Sequence, residues 1–244
     1  MNLEQIKKLH LKKYRQEFGV FLVEGEHLIL ELQAALATLP QLAQAQLLVT
    51  EAYRDWQTPL IKTEISVKQM AQIADTKTPQ GILAVVAMSA LQPLNQIKGI
   101  QKAVYLHEIQ DPGNLGTILR SLAWFGGVKC LLSPGSVDPY NPKVVRASMG
   151  SIFHVPIEQN VSQTDIIDRY SQFAYLDMDG RAISDPSFAD FDCYVFGNEA
   201  RGVPKELLEL TGSSAFTIPG SGAIESLNVA TAVSLSLYEL RGRR

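Results

Sequence analysis

After residue 101 the chain repeats one pattern, a short apolar run followed by a loop and a stretch of helical spacing. No other feature restricts the fold as strongly. Ala103 to His107 reads as a strand, 114 to 125 as a helix, and Val128 to Leu132 as the next strand. Phe173 to Leu176 and Tyr194 to Phe196 are further strands, and residues 226 to 240 form a closing helix. Strands alternating with helices imply an α/β fold with a mostly parallel sheet covered on both faces. The first segment, to about Ser89, mixes signals. Residues 3 to 15 are helical and basic, Phe21-Leu-Val is a short strand, and Glu26 to Ala37 has helical spacing. Gln46 to Thr50 and Gly81 to Ala87 read as strands, the latter after the breaker Thr78-Pro-Gln-Gly81. Periodicity is lost near Pro93 and Gly99, so residues 91–100 are the expected linker between domains 1–90 and 101–244.

Composition narrows the function classes. With a formal net charge of -3, the molecule is no polycation, and any nucleic-acid site must be a local basic patch. Cys130 and Cys193 lie in separate apolar runs with no C-x-x-C pair, so they read as reduced core thiols and not as a disulfide framework. The N-terminus has no apolar leader and no run reaches membrane-spanning length, which points to a cytoplasmic protein. No grouping of histidines and carboxylates has metal-ligand spacing, so no metal is invoked.

Three stretches rich in Gly, Pro and amides carry the chemistry, and each sits where an apolar run gives way to a loop or a helix start. The first is Asp111-Pro-Gly-Asn-Leu-Gly-Thr-Ile-Leu-Arg120. Leu115, Ile118, Leu119, Leu122 and Ala123 form a buried helical stripe, and Asp111-Pro-Gly-Asn supplies turn and capping chemistry. Arg120 falls off that stripe, toward solvent or a cleft; a capped surface helix with a solvated arginine has the same pattern. The second, Phe196-Gly-Asn-Glu-Ala-Arg-Gly202, follows a strand and precedes a helix near Val203-Pro204, where open α/β sheets bind ligands. It is not a Walker loop, and no G-x-G-x-x-G follows a strand, which disfavours a Rossmann cofactor site. The third, Ile218-Pro-Gly-Ser-Gly-Ala-Ile-Glu-Ser-Leu-Asn228, opens the last helix with Ser226 as its expected cap. Ala230, Ala232, Ser234 and Ser236 on that helix permit close packing of another helix, within the core or across a dimer seam.

In this order the three stretches resemble the motifs of the SpoU/TrmH-type RNA methyltransferases of the SPOUT group. The resemblance covers roughly residues 103 to 240. Arg15 through Phe21-Leu-Val-Glu-Gly-Glu-His27, and Thr78 to Val85, are similar to the family's substrate-binding domain, which resembles a ribosomal-protein L30e-like fold. Arg146 to Pro156 is similar to its middle segment. The resemblance implies a C-terminal domain with a deep trefoil knot and S-adenosylmethionine bound within it, in a site that a homodimer completes. Carried over by motif, Asn114, Arg120, Glu199 and Asn228 form the catalytic set. Phe196, Gly197, Asn198, Gly202, Ile218, Pro219, Ser226, Leu227 and Asn228 surround the cofactor, largely through backbone groups. One departure is Gly220, where the family usually has Met, and the expected effect is a looser cofactor pocket wall.

The implied reaction is methyl transfer to a ribose 2′-hydroxyl, of ribosomal RNA in preference to transfer RNA. The resemblance casts Arg120 as general base, but a guanidinium titrates above about 12 and keeps its proton. A second role for Arg120 is to clamp a phosphate and stabilise the developing oxyanion while Glu199 orients its neighbours or water. Lys7, Lys8, Lys12, Lys13 and Arg15 place several charges on about one helical face, and with Arg146 they are the expected RNA contacts. Tyr14 and Phe18 are placed to stack on bases or to anchor that helix. His107, at a strand end, reads as structural. A second reading is a binding-only or ribosome-assembly protein of the same fold; a third, a base methyltransferase of a related knotted family, differs in its motifs.

Overall fold

The computed structural model describes residues 1–91, 101–209 and 211–242. The expected linker 91–100 lies, apart from Leu91, outside them. The chain divides into two compact units, Met1–Pro93 with Asp138–His154, and Leu94–Val137 with Val155–Arg244.

The N-terminal unit opens with two helices where the sequence suggests one. Helix α1 (Leu3–Lys8) begins in a capping box, in which Asn2 accepts from the Gln5 amide and the Gln5 side chain reaches back. Helix α2 (Lys12–Phe18) starts anew after an extended Leu11 and ends at Gly19 in the left-handed region. Arg15 explains the break. Its guanidinium donates to the carbonyls of Leu9 (2.7 Å) and His10 (2.9 Å), groups that the end of α1 leaves unpaired.

Beyond α2 come β1 (Val20–Glu24), α3 (Glu26–Ala35), β2 (Gln46–Val49), β3 (Ile61–Glu64), α4 (Val67–Ile73) and β4 (Ile82–Ala87). The sheet order is β1-β4-β2-β3, with β4 antiparallel to both neighbours and β2 parallel to β3. Ile6, Leu9, Leu22, Leu48, Met70, Ile73, Leu83 and Val85 form a core between the sheet and α1 and α4. Gly81 has φ +100, and a Cβ there would lie 2.4 Å from Thr50 Oγ1, so the breaker before β4 needs glycine.

The chain continues through β5 (Lys102–Leu106), α5 (Pro112–Phe125) and β6 (Val128–Leu132). Asp111 caps α5 by accepting the Asn114 amide at 2.7 Å, Pro112 occupies the first turn, and Leu115, Ile118, Leu119 and Leu122 are buried as the stripe requires. Next comes α6 (Pro142–Ser148), in the segment that packs with the N-terminal unit. A buried ion pair fixes it there. Arg15, 2% exposed, holds Asp138 Oδ2 through Nε at 2.9 Å and Nη2 at 2.5 Å. The Phe21 and Tyr140 rings pack at 5.0 Å beside it.

The C-terminal unit then adds β7 (Ile157–Gln159), α7 (Gln163–Arg169), β8 (Phe173–Ala182), β9 (Cys193–Phe196), α8 (Lys205–Leu208), β10 (Ser213–Thr217) and α9 (Val229–Gly242). Its sheet runs β10-β8-β9-β5-β6-β7 with every neighbouring pair parallel, as the strand–helix alternation implies. Register between β8 and β10 is interrupted. Tyr175 faces Ala215, but Arg181 faces Phe216, so Leu176 to Gly180 bulge out of the ladder. Helix α9 packs on α5, where the Ser121 and Ser234 hydroxyls meet at 2.7 Å, so Ser234 serves packing within the chain. Cys130 and Cys193 are buried, and burial pushes both thiols up to about 12. No helix of the described residues is long and apolar enough to cross a membrane.

Candidate functional site

A parallel sheet brings every strand's carboxyl end to one edge, and the loops leaving those ends share that edge. Here they enclose a cleft of about 520 Å³ within the C-terminal unit. Leu176, Asp177 and Met178 of the β8 bulge form one wall. Phe196 ends β9 and Gly197, Asn198, Glu199, Gly202 and Val203 follow it, while Thr217 ends β10 and Ile218 follows. Ser226, Leu227, Asn228, Val229 and Ala232 come from the start of α9, and Asn114 reaches in from α5.

Three of these side chains form a directed hydrogen-bond chain. Asn228 Oδ1 accepts the amides of Ala230 (2.9 Å) and Thr231 (3.3 Å), so Asn228, and not the expected Ser226, caps the last helix, which starts at Val229 and not at 226. Helix amides only donate, so the Asn228 side chain must turn its oxygen to them and its NH₂ outward. That NH₂ donates to Asn114 Oδ1 at 2.9 Å. Asn114 Nδ2 in turn donates to the Glu199 carboxylate in a short contact. The Glu199 oxygen is thereby held by the cap of α9 through one intermediate amide.

The loop after β9 is closed on itself. Asn198 and Gly202 exchange backbone hydrogen bonds at 2.9 Å, and Asn198 Oδ1 accepts the amides of Ala200 and Arg201. A Cβ on Gly197 would lie 2.1 Å from the Gly202 carbonyl carbon, so the turn closes only over glycine. Asn198 Nδ2 also holds the Glu108 carbonyl at 2.9 Å, and the Glu108 carboxylate pairs with Arg201. His107 precedes this point but does not line the cleft. Its Nδ1 is buried with no partner among the described residues, and desolvation pushes its pKa below the usual histidine value, which favours the neutral ring.

Ten of the residues singled out from sequence therefore line one cleft: Asn114, Phe196, Gly197, Asn198, Glu199, Gly202, Ile218, Ser226, Leu227 and Asn228. Pro219 and Arg120 do not. Arg120 is exposed on α5, one turn before Trp124, which is 85% exposed. Gly220 is not among the lining residues, and a Cβ there would meet nothing within 4 Å. Sequence reading missed the β8 bulge; the turn-forming Asp177-Met-Asp-Gly180 after an apolar strand was its only signal.

Of the basic residues, Lys7, Lys8, Lys12 and Lys13 are exposed. The ammonium groups of Lys8 and Lys13 lie 5.4 and 5.7 Å from the centre of the Tyr14 ring, which stacks on Phe18. Arg15 leaves the expected stripe, because Asp138 draws it into the interior. Arg146 is also committed, its Nη1 lying 2.6 Å from Asp75 Oδ2 in a half-buried pair.

The family model for SpoU rRNA methylases matches residues 101–238, and that for an MRM3-like substrate binding domain matches residues 2–84. The chain belongs to the SpoU rRNA methylase family. A family relative from Bacillus subtilis, the 23S rRNA (guanosine(2553)-2'-O)-methyltransferase RlmP, is 32% identical over 97% of this chain and 94% of its own. The human mitochondrial rRNA methyltransferase 3 is 28% identical over 95% of this chain and 70% of its own. Among solved SpoU-type structures, a TrmH-family protein from Porphyromonas gingivalis superposes with a TM-score of 0.81 at 31% identity, covering 99% of this chain and 97% of that one. An AdoMet-bound rRNA methyltransferase from Sinorhizobium meliloti gives 0.82 at 26% identity, covering 99% and 94%.

Proposed function

We propose that this protein transfers a methyl group from S-adenosylmethionine to a ribose 2′-hydroxyl of ribosomal RNA, as a cytoplasmic homodimer. The observation that carries this reading is the Asn228–Asn114–Glu199 chain in the wall of the strand-end cleft. A packing domain has no use for three polar side chains aligned at the edge of a cavity.

The cleft suits the donor. Its volume is that of a small-molecule site. Ile218 and Leu227 make no backbone hydrogen bond among the described residues, which leaves amide and carbonyl groups for an adenine or a methionine moiety. When bound, S-adenosylmethionine supplies an electrophilic methyl on a cationic sulfur. The rest is the protein's work. A C–O bond forms to the ribose as the C–S bond breaks, and the hydroxyl proton must leave. Glu199, fixed through one oxygen by Asn114, takes it directly or through water. Arg120 stays charged, clamps a phosphate and stabilises the developing oxyanion.

Arg120 reaches such a site from a second protomer. It lies outside the cleft of its own chain, on the helix pair where Trp124 and Tyr238 are 85% and 67% exposed. Those rings stand one turn along from the Ser121–Ser234 contact and form an apolar face suited to a second copy. The trefoil knot implied by the family resemblance belongs to this reading, as does docking of RNA on the Lys7, Lys8, Lys12 and Lys13 face of the N-terminal unit. The test is transfer of labelled methyl to ribosomal RNA from cells lacking the gene, with the product nucleotide mapped. A methyl on a base, or donor binding with no transfer to any RNA, would refute the ribose reading.

A further inference from the structure

The cleft is lined by two carboxylates, Asp177 and Glu199, and by no lysine, arginine or histidine among the described residues. Glu199 is engaged with Asn114, whereas nothing above gives Asp177 a role. The carboxylate of Asp177 is nevertheless fixed. Its Oδ1 accepts the backbone amides of Met178 at 2.6 Å and Asp179 at 3.3 Å, within the bulge that breaks the β8–β10 register. Oδ2 has no hydrogen-bond partner among the described residues. A loop interrupts the ladder, folds onto its own aspartate and places that solvent-exposed residue in the cleft wall.

We propose that Asp177 is a specificity residue that reads ligand charge, favouring the cationic methyl donor over the neutral demethylated product. This rests on the cofactor reading given above. S-adenosylmethionine carries a sulfonium, an ammonium and a carboxylate, a net charge of +1. Loss of the methyl turns the sulfonium into a neutral thioether and leaves a zwitterion of zero net charge. A wall of fixed negative charge with no compensating cation binds the first better than the second. Turnover itself therefore weakens the hold on the spent molecule, which promotes its release. Charge complementarity in a partly solvated cleft supports a preference of about tenfold.

The test needs no RNA and no turnover. Titration calorimetry compares the wild-type protein and Asp177→Asn with three ligands: S-adenosylmethionine, S-adenosylhomocysteine and sinefungin, which carries an ammonium where the donor has its sulfonium. Asparagine keeps the Oδ1 acceptor for the two amides and removes only the charge, and a melting curve checks that the fold is intact. The expected result is that Asp177→Asn weakens both cationic ligands about tenfold and S-adenosylhomocysteine less than about twofold. Asp177→Glu restores part of the difference. Equal weakening of all three ligands, or no change in any, overturns the proposal. A wild-type protein that binds none of them overturns the cofactor reading itself, so the two failures are told apart.

Discussion

Asn228 gives its side-chain oxygen to the first turn of α9 and, because of that, turns its NH₂ toward Asn114. A helix cap thus sets the polarity of the cleft wall. Asn228→Asp tests this directly, since aspartate caps as well as asparagine and has nothing to donate. The expected outcome is a protein that melts within about 1 kcal/mol of wild type. Methyl transfer should fall at least about a hundredfold, as when one fixed donor is removed from a reacting site. Near-wild-type transfer by the variant would detach the amide chain from the chemistry.

The position of Arg120 predicts complementation between two dead enzymes. Arg120→Ala and Glu199→Gln should each be inactive with donor binding retained. After mixing and co-refolding, the proposed dimer should yield heterodimers in which one site combines an intact Glu199 with the partner's intact arginine. Activity should recover to about half per heterodimer, following the symmetry of a two-fold interface. A mixture as inactive as its parents would place Arg120 in its own chain's site.

Replacing Lys7, Lys8, Lys12 and Lys13 with alanine should raise KM for RNA and leave kcat unchanged. Each lysine–phosphate pairing removed should also lower the slope of log affinity against log salt by about 0.7 to 0.9. Arg15→Ala does not belong in that set, because its guanidinium is out of reach of any phosphate.

The Arg15–Asp138 pair is a stability element. Asp138→Ala strands a buried guanidinium and should cost about 3–5 kcal/mol, read from urea denaturation. Arg15→Met with Asp138→Leu removes both charges and should cost clearly less than the single change. A destabilisation below about 1 kcal/mol for Asp138→Ala would show that water solvates the pair.

Local rules made much of this legible. Asp111 and Pro112 announce the start of α5 within a few residues of sequence, and the apolar run before each motif places the motif at a strand end. A parallel sheet then brings those ends together without further information. Long-range partners were not legible. Arg15 reads as one more cation on a basic helix until Asp138, far along the chain, is known to face it. Asp177 was missed because its place depends on a register break between β8 and β10, which β8 alone does not encode. Strands β3, β7 and β10 escaped for a related reason. Ile61-Lys-Thr-Glu64 and Ile157-Glu-Gln159 lack apolar alternation, and all three strands are edges that need only one neighbour.

The return of Asp138–His154 to the N-terminal unit bears on how the molecule is made. A ribosome delivers the chain in N-to-C order, yet the first unit lacks a piece of its interior until His154 has emerged. Arg15 must wait, hydrated and uncompensated, while β5, α5 and β6 are synthesised. Vectorial synthesis cannot finish the two halves one after the other, and a gene fragment ending near residue 93 would encode a body with a hole where Asp138 and Tyr140 belong.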